Sequence, residues 1–153
     1  MKKSILSGCL LFLIALSSSI SQPQEPVCPK HIETPRYPPV AKMARISGKV
    51  MLTLIIDSDG KVSDVKVTNE DQQFVKILAH WAVDNVRLWT FAKPQSAPFK
   101  QNITYDFQLD DKLPLAGVDD YPDVTFVTYD LPDYVTVRTN NHVVETSGGN
   151  QSH

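Results

Sequence analysis

The residues best equipped for chemistry are few, and their spacing argues against most of it. Asp57-x-Asp59-Gly60 has the look of a calcium loop. If Gly60 held the loop's glycine position, the first ligand position would fall on Ile55 and the final glutamate position on Lys66. Neither can supply a carboxylate, so the segment reads as a tight turn. Of the histidines His31, His80, His142 and His153, only His80 falls inside a predicted element. No second histidine or cysteine stands at a metal-ligand spacing from it. No serine sits in a G-x-S-x-G elbow, and Cys28 lies in a proline-rich leader. The pairs Asp110-Asp111 and Asp119-Asp120 fall in connectors, with nothing rigid to aim them. Asn102-Ile103-Thr104 matches a glycosylation acceptor, yet it lies within a strand pattern. These residues imply no catalytic site, no metal site and no cofactor, and they argue against an enzyme.

The elements that could position a binding surface are clearer. Over Gly48–Thr68, Val50, Leu52, Leu54 and Ile56 share one face, while Lys49, Met51, Thr53 and Ile55 share the other. A period of two predicts a strand. Asp57-Ser58-Asp59-Gly60 breaks it with residues suited to a turn, because glycine reaches positive φ cheaply and aspartate bonds its own backbone. A second arm follows, with Ser63, Val65 and Val67 on one face. Phe74, Ile77, Leu78, Trp81 and Ala82 then fall at helical spacing, and this stripe predicts a helix from an Asn69 N-cap, with Gln72 completing a capping box, to about Val86 or Arg87. The helix covers the Val50–Ile56 face. Gln101–Leu109 alternates again, with Ile103, Tyr105, Phe107 and Leu109 inward, and predicts a third, antiparallel strand. Upstream, Pro38–Arg45 reads as a short helix ended by Ser47-Gly48. Val124–Tyr129 and Tyr134–Thr139 read as a further hairpin around Asp130–Asp133.

The ends have a different character. Lys2-Lys3, an apolar run from Ile5 to Leu16 and small residues at Ser19 and Ser21 predict a signal peptide over 1–21, cleaved near Ser21. A proline-rich leader (22–34) follows; 110–139 forms an acidic connector plus the possible hairpin, and 140–153 a disordered tail. Forty-two per cent hydrophobic residues and a net charge of −2 permit a real core. That balance argues against nucleic acid, whose partners carry a basic stripe.

One ordered set of motifs is specific as a combination: Pro35-Arg36-Tyr37-Pro38, a short helix, Gly48-Lys49-Val50, a hairpin turned at Asp59-Gly60, an amphipathic helix, then Trp89-Thr90-Phe91-Ala92-Lys93-Pro94 and a last strand. This order resembles the C-terminal domain of the TonB energy-transducer family, over 35–109. The resemblance implies a two-layer α+β fold, one main helix on a three-stranded antiparallel sheet, with Gly48–Asp57 in the middle and Gln101–Leu109 at an edge. It also implies a periplasmic domain that binds a partner protein or peptide of the outer-membrane receptor type, which adds to the sheet edge as an extra strand. The contact strand carried over is Asn102, Ile103, Thr104, Tyr105, Asp106, Phe107 and Gln108. Such transducers keep an N-terminal membrane helix and a long Pro-Glu/Pro-Lys spacer. Here Gln22–Tyr37 is 16 residues, at most roughly 55 Å fully extended. The expectation is therefore an exported periplasmic binding domain; the alternatives are a short transducer anchored in the inner membrane, and an exported enzyme or inhibitor on the same scaffold. A homodimer is also open, as is pairing of the C-terminal hairpin with the Gln101–Leu109 edge.

Overall fold

The computed structural model describes residues 25–112 and 125–140. The predicted signal peptide (1–21), the first leader residues, Asp119-Asp120, His142, His153 and the tail from 141 lie outside them. Along the chain the elements are β1 (Pro29–His31), α1 (Pro39–Met43), β2 (Gly48–Ile56), β3 (Val62–Val67), α2 (Val75–Val86), β4 (Thr90–Phe91), β5 (Phe99–Leu109), β6 (Thr125–Asp130) and β7 (Tyr134–Thr139). The fold is α+β. Its main sheet has the order β3-β2-β5-β7-β6, and a separate ribbon joins β1 to β4.

β2 is the axis of the design. Val50, Leu52, Leu54 and Ile56 are buried as their alternation requires, and β2 pairs antiparallel with both neighbours. The turn after it is local chemistry: one Asp57 carboxylate oxygen accepts from the backbone N–H groups of Asp59 and Lys61, both at 2.9 Å. Gly60, at φ +83°, brings its backbone against Phe91, whose N–H donates to the Gly60 carbonyl at 2.7 Å. In β3 the expected face slips by one residue. A bulge at Ile55/Ile56 sets Val62, rather than Ser63, opposite Ile56, so Val62, Val65 and Val67 pack against the core while Ser63 is exposed.

The main helix also differs from its sequence pattern. It starts at Val75, after Phe74 in the left-handed region at φ +67°. Its buried stripe is Val75, Leu78, Ala79, Ala82, Asn85 and Val86, leaving Phe74 49% and Trp81 37% exposed. Asn69 does not cap it. Its side-chain carbonyl instead accepts from the Met51 N–H at 3.0 Å, and its amide donates to the Lys49 carbonyl at 2.9 Å and to Gln72 Oε1 at 3.1 Å. Those β2 groups would otherwise lack partners beyond the end of β3, and satisfying them outweighs a cap.

The leader is more regular than its prolines suggest. β1 pairs with β4, and the Ala92 N–H donates to the Cys28 carbonyl at 2.9 Å. Farther on, the Glu33 carbonyl accepts from Asn85 Nδ2 and Trp89 Nε1 at 3.0 and 3.1 Å, which ties the leader to α2. Trp89, fully buried, packs near Phe91, Tyr105 and Tyr129.

Candidate strand-addition surface

The surface that the family resemblance singles out is β5, and the structure does not leave it at an edge. β2 pairs along one side of it, from Gly48↔Phe107 to Ile56↔Phe99. β7 pairs along the other in parallel, from Thr104↔Tyr134 to Leu109↔Thr139. The expected edge at Gln101–Leu109 is therefore corrected: the sheet gains two strands, and its outer edge passes to β6. The physical cause is the liability of a bare, alternating strand, whose unpaired backbone groups any compatible strand can satisfy. The C-terminal hairpin is that strand. It buries Val135 and Val137 completely, each worth ~1.5–3 kcal/mol.

The seven proposed contact residues divide by face. Ile103, Tyr105 and Phe107 point into the core, at no more than 1% exposure. The Tyr105 hydroxyl donates to Asn85 Oδ1 at 2.8 Å, and burial pushes its pKa well above the usual tyrosine value. Phe107 meets Tyr37 edge-on, with ring centroids 5.6 Å apart. On the other face Asn102 accepts from Thr53 Oγ1 at 2.8 Å, and the Thr104 N–H donates to the Asp133 carbonyl at 2.7 Å.

Asp106 is the outlier, a carboxylate on the outward face yet buried. It accepts from the Tyr134 hydroxyl at 2.8 Å and from Gln108 Nε2 at 2.9 Å, with Lys49 Nζ at 3.8 Å. Lys49 also lies 5.5 Å from the centre of the Tyr134 ring, and its pKa is raised first by its hydrogen bond to Tyr134 and then by charge, including that of Asp106. This cluster latches the start of β7 onto β5. Sequence reasoning missed it: Asp106 reads as an ordinary outward acid until Tyr134, 28 residues away, is known to lie beside it.

From Phe99 to Ile103, the side of β5 facing away from β2 is not paired by β7. The leader and the β6–β7 turn close in there. Gln101 Oε1 accepts from the Val27 N–H at 2.8 Å, and its Nε2 donates to the Pro132 carbonyl at 3.3 Å. A shallow cleft of about 200 Å³ remains, lined in part by Pro26, Lys100, Asn102 and Asp133. The other candidates of the sequence stay structural. Asp59 pairs with Lys93 at 3.3 Å, and His80 with Asp84 at 3.2 Å on the helix surface. Among the described residues no three His, Cys, Asp or Glu side chains gather as a metal site, and no helix is long and apolar enough to cross a membrane.

A family model for the C-terminal region of the Gram-negative bacterial TonB protein matches residues 33–109. This chain belongs to the TonB C-terminal family. The match begins in the leader that holds Trp89 and ends with β5. β6 and β7 lie outside the matched residues. The chain is 34% identical over 62 residues to Protein TonB from two strains of Xanthomonas campestris pv. campestris, which is 40% of this chain and 27% of each relative. The match thus spans about a quarter of the length of these curated relatives. Among solved structures, the chain is similar to the solution structure of the Pseudomonas aeruginosa TonB C-terminal domain, at 22% identity and a TM-score of 0.44, over 57% of this chain and 90% of that one.

Proposed function

We propose that this protein is a non-enzymatic binding domain of the bacterial envelope with a TonB-like role in receptor-dependent transport. It recognises an outer-membrane partner by taking an extended segment of it as an added strand along β5, at Asn102–Gln108. The observation that carries this reading is β7 itself. A strand from outside the matched residues lies parallel to β5 over Thr104–Leu109, in the place a partner segment would take. β5 thus accepts a strand on this side, with backbone bonds for affinity and alternate side chains for selectivity. The partner's strand replaces β7, so docking of the hairpin and binding of the partner exclude one another. The domain works in the periplasm after export; an inner-membrane anchor is the second arrangement compatible with a TonB-like role.

The test is in-cell photocrosslinking from the outward positions Asn102, Thr104 and Gln108, with the same probe at Lys66 on β3 as control. Crosslinks to an outer-membrane receptor from β5 and not from β3 support the proposal. Receptor crosslinks from β3 alone, or none from either strand, would overturn it. Fractionation with N-terminal sequencing of the protein decides between the free and anchored forms.

A further inference from the structure

β7 leaves one part of β5 uncovered. Its pairing begins at Thr104, while β5 begins at Phe99. Bonds made on β2 fix which way the main chain of β5 faces. The Met51 N–H donates to Asn69 Oδ1, the Met51 carbonyl accepts from the Thr68 N–H at 2.8 Å, and the Ile55 carbonyl accepts from Ser63 Oγ at 3.0 Å. These groups point toward β3. Met51 stands opposite Thr104, Thr53 opposite Asn102 and Ile55 opposite Lys100. In an antiparallel ladder, pairs that turn their main-chain groups away from each other alternate with bonded pairs. The N–H and C=O groups of Lys100, Asn102 and Thr104 therefore face away from β2. The Thr104 N–H does so by donating to the Asp133 carbonyl. Lys100 and Asn102 are exposed, and among the described residues no backbone group bonds theirs on this side. Gln101 holds the nearby leader and turn by its side chain, through Val27 and Pro132, and the cleft of about 200 Å³ is lined by this stretch.

We infer that Lys100–Asn102 is the entry site for the partner's strand: an extended peptide segment pairs with these main-chain groups while β7 is still docked, then advances along β5 and peels β7 away from Tyr134 onward. This rests on the reading that a partner strand replaces β7. From Thr104 to Leu109 that side of β5 is already paired, so a segment without this foothold must wait for β7 to leave by itself. A segment running in the direction of β7 places its first residues at Lys100–Asn102. It next meets the Thr104 N–H, held by Asp133, and then Asp106, held by the Tyr134 hydroxyl. Displacement thus begins at the latch rather than at the far end of the hairpin. The ligand class is an extended peptide whose leading residues are not proline, because each paired position must supply its own N–H.

Stopped-flow binding of fluorescent peptides to the full chain tests it. The shorter peptide has the sequence of Tyr134–Thr139, and the longer one carries Thr-Val-Thr-Val ahead of it, which in the register of β7 reaches back to Lys100. The longer peptide is expected to associate faster by about tenfold or more, since a few backbone bonds form before β7 moves. Its rate should keep rising with concentration past the opening rate of β7 read from amide exchange, whereas the shorter peptide's rate levels off there. Lys100→Pro removes an N–H that faces the cleft and breaks no bond to β2. It is expected to slow the longer peptide several-fold and leave the shorter one unchanged, with the Leu52 and Leu54 amides as protected as before. Should those amides lose protection, the comparison of the two peptides on the wild type decides alone. Equal rates for the two peptides, or equal slowing of both by Lys100→Pro in a folded variant, would overturn the entry site and leave the displacement of β7 standing. Binding of neither peptide at any concentration would overturn that displacement and the entry site with it.

Discussion

Tyr134→Phe isolates the latch that holds β7 against β5. The substitution keeps the ring near Lys49 and removes only the hydroxyl that donates to the buried Asp106 carboxylate at 2.8 Å. A hydrogen bond to a charged group contributes ~1.5–3 kcal/mol. At about 1.4 kcal/mol per tenfold, the open population of β7 should rise by roughly ten- to a hundredfold. Because partner affinity scales with the fraction of competent acceptor edges, it should rise by a similar factor while that fraction stays small. Native-state amide exchange reads the opening directly. The Val135 and Val137 amides should exchange faster by that factor, while Leu52 and Leu54 in β2 keep their protection. If the β7 amides are unchanged, the hydroxyl does not hold the strand. If β2 accelerates equally, the hairpin is part of the global fold rather than a separable strand, and the reasoning fails.

Three further substitutions probe the scaffold beneath that edge. Asn69→Ala removes the partners of the Met51 N–H and Lys49 carbonyl and should cost ~1–3 kcal/mol, read as a lower urea midpoint at unchanged slope. Loss of a helix cap alone would not expose β2, so faster exchange at Met51 separates the two roles. Gly60→Ala combines a left-handed φ with a Cβ driven into the Phe91 carbonyl, and should destabilise by more than about 1 kcal/mol. An Ala variant as stable as wild type would contradict the close approach of the turn to β4. Burial, and then the charge of Asp106, push the Tyr37 pKa from 10.0 to about 12. A raised folded pKa means this contribution is complete below pH 10, where the unfolded phenol is neutral, and is lost as pH rises toward 12. Tyr37→Phe should flatten stability over that window while lowering it at neutral pH through loss of the bond to the Ile46 carbonyl. An unchanged alkaline slope would contradict this.

Much of the fold was legible because single-element periodicity carries it. Val50, Leu52, Leu54 and Ile56, and Ile103, Tyr105 and Phe107, recur at a period of two, and all seven are buried. The TonB-like order of motifs set the three antiparallel strands and the main helix in their places. What was not legible depends on partners distant in sequence. Phe74 and Trp81 fit the helical stripe as well as Val75 and Ala79 do; only the shape of the sheet beneath selects the smaller residues. Ser63 loses its inward place to a bulge that no residue type in β3 announces. Asn69 is a good N-cap by type, but unpaired groups on β2 claim it first. At the candidate site, the pattern located β5 and raised the possibility of a capping hairpin. It could not supply the parallel register, nor the burial of Asp106 under Tyr134. Both arise only when 125–140 folds back across a connector, and no local period records that.

The central claim is that a partner strand binds β5 in the place of β7, and a reversible lock tests it most directly. Gln108 and Arg138 are register partners on adjacent strands, close enough for a disulfide between cysteines introduced there, in a background with Cys9→Ser and Cys28→Ser. The receptor segment identified by crosslinking is then titrated against the oxidised and reduced forms. Binding lost on oxidation and restored on reduction is the predicted result. Equal binding by the locked form would contradict the account.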